Sequence, residues 1–251
     1  SGIVWNGVSV PVVDKYRYLG LWFQNDCSWK YHCEQTLHRA EQVKKRLMPL
    51  WKNRHVCVDV KRIVLLTLIR PIVEYGSEVW WPSTSRQIEL LDKLQTDIVK
   101  CAMRCDHENP SSLAVLAEWG LKPMHMWLEE RAIEYFFKVL RMPNHRMPKL
   151  ALGASWSVTG DAGCLQWQER VMGLLQKYGI VHQVAMADGY KCKRHVKQRM
   201  AAHFGDEMIV NTVSTSTLEH YLTYVQPSLS SGVSFSAPRP FLSGHCRYPS
   251  Y

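Results

Sequence analysis

Between residues 39 and 62 the chain sets eight cations, Arg39, Lys44, Lys45, Arg46, Lys52, Arg54, Lys61 and Arg62, among apolar residues at helical spacing. Clustered Lys and Arg gain free energy by displacing counterions from phosphates, each contact adding about one unit to the salt dependence of binding. Upstream, Tyr16, Tyr18, Leu19, Gly20 and Trp22 make an aromatic stretch whose glycine lets a sugar or phosphate approach the backbone closely. Lys191, Lys193, Arg194, His195, Lys197 and Arg199 form a second basic cluster, able to grip RNA if its helix is exposed. The chemistry these residues support is the holding of a polyanion. The competing readings are a solvated helix face for the cations and a half-buried strand for the aromatics.

Bond-making chemistry is not assembled in the same way. Nucleotidyl transfer needs paired carboxylates that hold two divalent ions against a triphosphate. Asp14 and Asp26 flank the aromatic stretch without forming such a pair, so no catalytic residue is assigned and the chain is not expected to polymerise alone. Cys101, Cys105 and His107 could supply three metal ligands, and Cys192 with His195 two more. Neither set has the spacing of a zinc knuckle or finger, and His245-Cys246 does not complete one, so no metal is expected here. Nothing sets a thiolate beside an imidazole with an orienting third group, as a Cys–His hydrolase requires.

These residues belong to a chain of 251, long enough for one large domain or two small ones. The formal charge of +9 favours an acidic partner, and the aromatic interleaving of the first third favours nucleic acid over lipid headgroups, which offer no flat faces. With 46% hydrophobic residues and no apolar run near the about 20 residues of a membrane span, the chain reads as soluble, with no membrane partner. Eight cysteines without disulfide spacing, and no secretory leader, point to a reducing intracellular compartment. Ser1-Gly2 leading straight into Ile3-Val4-Trp5 reads as the start of a piece of a longer open reading frame.

The elements that must position the cations follow from periodicity. Ile3-Val4-Trp5 and Val8-Ser9-Val10 flank Asn6-Gly7, which predicts a hairpin with a type I′ turn. Residues 15–24 predict a further strand. From Ser28, Cys33, Leu37, Ala40, Val43, Leu47 and Leu50 define one helical face, with Arg39, Gln42, Lys45 and Arg46 opposite. Asp59 is the expected N-cap of a second helix whose Ile63, Val64, Leu66, Leu68 and Ile69 predict deep burial on nearly every side. Pro71 should kink or restart it. Arg70 is expected to pair with Glu74, and Tyr75 to plug the core.

A third helix carries Ile88, Leu91, Leu94, Ile98 and Ala102; a short one ends at Gly120; a fourth carries Met126, Ile133, Phe136, Phe137 and Leu140 and stops near Pro143. The interval 151–163, rich in Gly, Ser and Ala, reads as a linker. Helices are expected near 164–178, 190–204 and 216–225, and an irregular tail from Pro227.

Tyr18-Leu19-Gly20, then Ser28, Trp29, Lys30 and His32, then Leu68-Ile69-Arg70-Pro71-Ile72-Val73-Glu74-Tyr75-Gly76-Ser77-Glu78-Val79-Trp80 resemble, in order and spacing, the end of the palm and the thumb of non-LTR retrotransposon reverse transcriptases. Leu116 to Pro123 and Arg131 to Tyr135 extend the likeness more loosely, and beyond about residue 150 it fades. The family's metal-binding aspartates lie upstream of the Tyr-Leu-Gly motif, and no Tyr-x-Asp-Asp or equivalent occurs in this sequence.

The resemblance implies a mainly α fold: a helical thumb-like bundle preceded by a small β-hairpin and strand region, with a helical C-terminal extension. It implies a terminal palm hairpin with a primer-grip-like strand at 1–26 and a helical thumb and post-thumb domain at 27–150, and composition and periodicity add a linker at 151–163, a helical extension at 164–226 and an irregular tail at 227–251. The implied role is to hold a primer–template duplex, RNA, RNA–DNA or DNA, for the rest of the polymerase polyprotein, in an intracellular ribonucleoprotein of nucleus or cytoplasm. Tyr18, Leu19, Gly20, Arg39, Lys44, Lys45, Arg46, Lys52, Arg54, Lys61, Arg62, Lys193 and Arg194 would make the contacts. No cofactor is expected within the chain, the divalent metal belonging to the missing catalytic palm. A stand-alone RNA-binding or protein-interaction module derived from such a polymerase is the alternative, and a helical scaffold a third class.

Overall fold

In the computed structural model, which describes residues 3–81, 84–105, 110–157, 167–180 and 189–213, two antiparallel hairpins lead into a bundle of helices. The first hairpin pairs β1 (Ile3–Trp5) with β2 (Val8–Val10) through Asn6 and Gly7, both at positive φ as the type I′ turn requires. The second pairs β3 (Lys15–Tyr18) with β4 (Leu21–Gln24). Residues 15–24 are therefore two strands where one was expected. Leu19 and Gly20 interrupt the run with φ of 46° and 86°, so the Tyr-Leu-Gly motif is the last residue of β3 followed by a two-residue turn.

That turn is built against the bundle. The Tyr75 hydroxyl donates to the Leu19 carbonyl at 2.6 Å, and a Cβ on Gly20 would lie 2.9 Å from the Tyr75 ring. Gly76 answers from the other side. It sits at φ +67°, and a Cβ there would come within 2.7 Å of Leu21. Tyr75 thus does not plug the core: it is 57% exposed, with its ring laid on the hairpin turn.

Helix α1 (Lys30–Arg46) begins without a side-chain cap from its own N-cap residue; Gln24 of β4 instead accepts from the Tyr31 N–H at 2.7 Å. Its buried face carries Cys33, Thr36 and Ala40, and Lys44, Lys45 and Arg46 in the last turn suit the negative end of the helix dipole. After the short α2 (Met48–Lys52) comes α3 (Val58–Val64), whose N-cap is Cys57; Asp59 lies in the first turn.

The helix then widens into a π-helical turn, Leu65–Ile69, and resumes as α4 (Arg70–Glu74). Pro71 accounts for the restart, since its nitrogen has no hydrogen to give to the preceding turn. Leu65, Ile69 and Val73 are buried, but Val60, Ile63 and Leu68 are exposed at 44%, 55% and 49%. Deep burial on every side is thus not realised, because α1 and the later helix at Ser85–Met103 pack against the segment and leave its other side to solvent. Arg70 meets Glu74 at 2.5 Å as the spacing predicts, and its guanidinium also lies 3.6 Å from the Trp127 ring centre.

Helices α5 (Ser77–Trp80), α6 (Ser85–Met103), α7 (Ser112–Glu118) and α8 (Met124–Leu140) complete the first bundle. Thr84 and Gln87 close a capping box at the start of α6. Helix α8 is the hub, packed by α5, α6, α10 (Trp167–Lys177) and α11 (Gly189–Val213). Its two buried carboxylates are both engaged: Glu130 with Lys122, and Glu129 with Lys177 at 3.1 Å and the Tyr178 hydroxyl. His125, in its first turn, donates its backbone N–H to Asp92 of α6 at 3.0 Å, and its ring Nδ1 meets the same carboxylate at 2.6 Å.

One cluster of buried residues runs from Cys33 to Phe204, so α10 and α11 share the bundle's core. Helix α9 (Met147–Ser157) occupies the first half of the expected linker; Lys149 ties it to the end of α8 by donating to the Leu140 carbonyl at 2.6 Å, and Leu152 is buried. Residues 158–163, the helix expected near 216–225 and the tail lie outside the described residues. The architecture is mainly α with small antiparallel hairpins ahead of it.

The Gly76–Leu21 contact sets a test of this joint. Gly76→Ala is expected to destabilise the chain by about 1–3 kcal/mol, combining a left-handed backbone with a Cβ driven into Leu21. Urea unfolding followed by far-UV circular dichroism measures it, with Gly153→Ala as the control of opposite sign: there an added Cβ inside helix α9 meets nothing and should raise stability by up to about 1 kcal/mol.

Candidate nucleic-acid interface

Most of the predicted cations reach solvent. Arg39, Lys45 and Arg46 are exposed on α1, and Lys52 and Arg54 continue that surface at the end of α2 and in the loop after it. Tyr18 and Leu19 are exposed at 57% and 73% on the hairpin turn. Lys193 and Arg194 are exposed on α11, opposite the buried Cys192, Val196 and Met200, with Lys193 within 3.6 Å of Glu134.

Three predicted cations, and Gly20 with them, serve the fold instead. Lys61 is only 3% exposed and donates to the Ala102 carbonyl at 3.1 Å; burial pushes its ammonium below the ordinary lysine range. Arg62 donates from Nε to the Trp119 carbonyl at 2.9 Å. Both close open carbonyls at the ends of α6 and α7, a role that spacing could not separate from surface charge. Lys44 is drawn between Glu41 and Asp97 at 3.2 and 3.3 Å. Gly20 is required by Tyr75 packed against it, so its missing side chain already serves a contact inside the chain.

The structure adds residues that the sequence reading passed over. In the β3–β4 ladder Lys15 stands opposite Gln24 and Arg17 opposite Trp22, so all four share one face, turned toward α1. There Lys15 lies 3.9 Å from the Tyr31 ring centre, and Trp22 meets Tyr31 edge-on. A cleft of about 280 Å³ opens beside this face, lined by Arg17, Gly20 and Trp22 from the hairpin and His32, Gln35, Thr36 and Arg39 from α1. The alternation Lys15, Arg17 on a strand was the available signal. A second cleft, of about 360 Å³, lies between α1, α2 and α6, with Lys44, Lys52 and Lys100 at its walls.

His32 organises the floor of the first cleft. Its Nδ1 accepts from the Trp22 N–H at 3.3 Å, which places the ring hydrogen on Nε2, 3.5 Å from the Thr36 hydroxyl. Burial, reinforced by the charge of Arg39, holds the imidazole down to about 4. It is therefore neutral at ordinary pH.

Asp14 accepts from the Asn25 side chain at 3.1 Å, and Asp26 accepts from the Ser28 N–H at 2.9 Å, a bond that lowers its pKa. Asp14 is thus engaged by a residue across the base of the hairpin, and Asp26 by a neighbour in its own loop. Among the described residues no group of three His, Cys, Asp or Glu side chains is placed to bind a metal; His107 and His245-Cys246 lie outside them. Cys101 contacts the Met48 sulfur at 3.7 Å, and Cys192 is buried in the core. No helix among the described residues is long and apolar enough to cross a membrane. Searches against protein-family models, curated proteins and solved structures found no match.

The neutral His32 makes stability depend on pH with a definite sign. Its folded value of about 4 lies below the ordinary 6.5, so the unfolded chain binds the extra proton between those values. Its contribution is complete above pH 6.5, falls as the pH is lowered through that window and levels off below 4. The loss is at most about 3 kcal/mol. Urea midpoints measured from pH 7.5 to 4 should show this slope in the native sequence and a shallower one in His32→Gln.

Proposed function

We propose that this chain is the nucleic-acid-holding, noncatalytic part of a polymerase of the non-LTR reverse transcriptase type. The observation that carries the reading is that the two motifs of the resemblance meet. Tyr75 and Gly76, from the Arg70–Trp80 motif, pack on Leu19, Gly20 and Leu21, from the Tyr-Leu-Gly turn. Motifs that co-occur by chance have no reason to shape each other's glycines.

On this reading the hairpin corresponds to a primer grip. The exposed Arg39, Lys45, Arg46, Lys52 and Arg54 follow the phosphates of a primer–template duplex, and Lys193 and Arg194 offer a separate contact to RNA. Divalent ions and the carboxylates that hold them would belong to a catalytic palm outside this chain. The setting would be an intracellular ribonucleoprotein, nuclear or cytoplasmic.

A stand-alone interaction module derived from such a polymerase is the second reading, favoured by the exposed Val60, Ile63 and Leu68 on the α3–π segment, which suit a protein partner better than a phosphate backbone.

Fluorescence anisotropy with a labelled RNA–DNA hybrid, titrated with salt, tests the leading reading. Binding should weaken steeply as salt rises, and Lys45→Glu with Arg46→Glu should lower affinity by at least about tenfold without changing the unfolding midpoint. Flat or absent hybrid binding by the native chain would remove the duplex-holding role.

A further inference from the structure

The cleft between the second hairpin and α1 has features that a general basic surface lacks. Arg17 and Arg39 enter it from different elements, one from β3 and one from α1. Among the described residues neither has a carboxylate partner. Arg70 and Arg131, by contrast, are tied to Glu74 and Glu78, and Lys44 to Glu41 and Asp97. A guanidinium offers a fixed fork of donors matched to two oxygens of a phosphate, and two forks converging on one space define a position as well as a charge.

The rest of the lining suits an anion. No carboxylate is among the lining residues, and Gln35 and Thr36 bring neutral polar groups. Because His32 Nε2–H is directed at the Thr36 oxygen, Thr36 accepts there and keeps its own hydroxyl hydrogen to give. Burial first, and the charge of Arg39 second, keep His32 neutral, so it brings no cation of its own to the cleft. Trp22 contributes a flat apolar surface beside Arg17, whose guanidinium lies 5.9 Å from the ring centre. At about 280 Å³ the cleft has room for a phosphate together with an attached sugar.

We propose that this cleft is a single-phosphate subsite, in which the guanidiniums of Arg17 and Arg39 clamp one phosphodiester of a bound strand while its sugar lies against Trp22. The inference rests on the duplex-holding reading and sharpens it: it moves the defining contact from the Tyr18-Leu19-Gly20 turn to the opposite face of the strand and the facing side of α1.

The test uses the full chain with Arg17→Gln, Arg39→Gln, the double variant and Arg39→Lys. Both arginines are exposed, so the unfolding midpoints in chloride should match that of the native sequence. With a labelled RNA–DNA hybrid, each single glutamine variant should bind about five- to tenfold more weakly. The double variant should lose about one unit of salt slope and not two, because one phosphate is shared. Arg39→Lys should recover only part of the loss, since a lysine restores the charge without the fork.

In parallel, inorganic phosphate up to about 50 mM at constant ionic strength should raise the unfolding midpoint of the native chain but not of the double variant. Unchanged hybrid affinity in both glutamine variants, while the native chain binds, overturns the clamp and leaves the duplex-holding reading standing. A phosphate-dependent midpoint with unchanged hybrid affinity assigns the cleft to a free phosphate and overturns the strand contact. If the native chain does not bind the hybrid, the duplex-holding reading falls, and the phosphate arm alone decides whether the cleft takes an anion.

Discussion

The joint between Tyr75 and the Leu19–Gly20 turn is the constraint on which the arrangement of the interface depends. A two-stranded hairpin is marginal in water by itself and has no fixed orientation relative to a helical bundle. Here a hydroxyl-to-carbonyl bond of 2.6 Å fixes the turn, Gly20 and Gly76 let ring and side chain interlock, and Trp80 donates from its indole to the Tyr75 carbonyl at 2.8 Å. Leu19 sits in a left-handed conformation that a branched residue adopts at some cost, and the surrounding contacts hold it there. Together with the Tyr31–Gln24 and Trp22–His32 bonds, this joint turns Arg17 toward α1, where it shares a cleft with Arg39.

The second organising feature is a division of the cations. Those that face inward complete the fold: Lys61 and Arg62 close helix-end carbonyls, Lys122 pairs with Glu130 beneath Trp127, and Arg70 stacks on the same ring. Burial pushes the Lys122 ammonium down while Glu130 opposes the shift. Removing one partner of such a pair leaves a charge stranded in a poor solvent, so these residues stabilise by being complete sets. Arg17, Arg39, Lys45 and Arg46 face outward with no carboxylate partner among the described residues and remain available to a ligand.

Much of the architecture was legible in local patterns. Asn6-Gly7 announced a hairpin because few residues tolerate both left-handed positions, and the period of Leu91, Leu94, Ile98 and Ala102 announced α6 because a helix must hide its apolar stripe. Pro71 announced a break in the helix. The form of the break, a π-helical turn, follows from the packing of Leu65 and Ile69 and could not be read from the proline alone. Residues 151–157 read as a linker from composition, yet they continue α9, whose start is tied to α8 by Lys149.

For the interface, residue types and their spacing establish that the chain is strongly basic, that its cations ride on amphipathic helices, and that two spaced motifs co-occur. Charge and period are properties of the chain, and they survive any arrangement of the elements. Packing across the fold settles which cations are drawn inside, that Leu19 and Gly20 turn the chain at the end of β3, and that Arg17 and Arg39 share a cleft with a neutral His32. The reason is that a cation's role depends on what lies within a few ångströms of it across the fold, and residues 22 positions apart acquire that proximity only when the hairpin docks on the bundle.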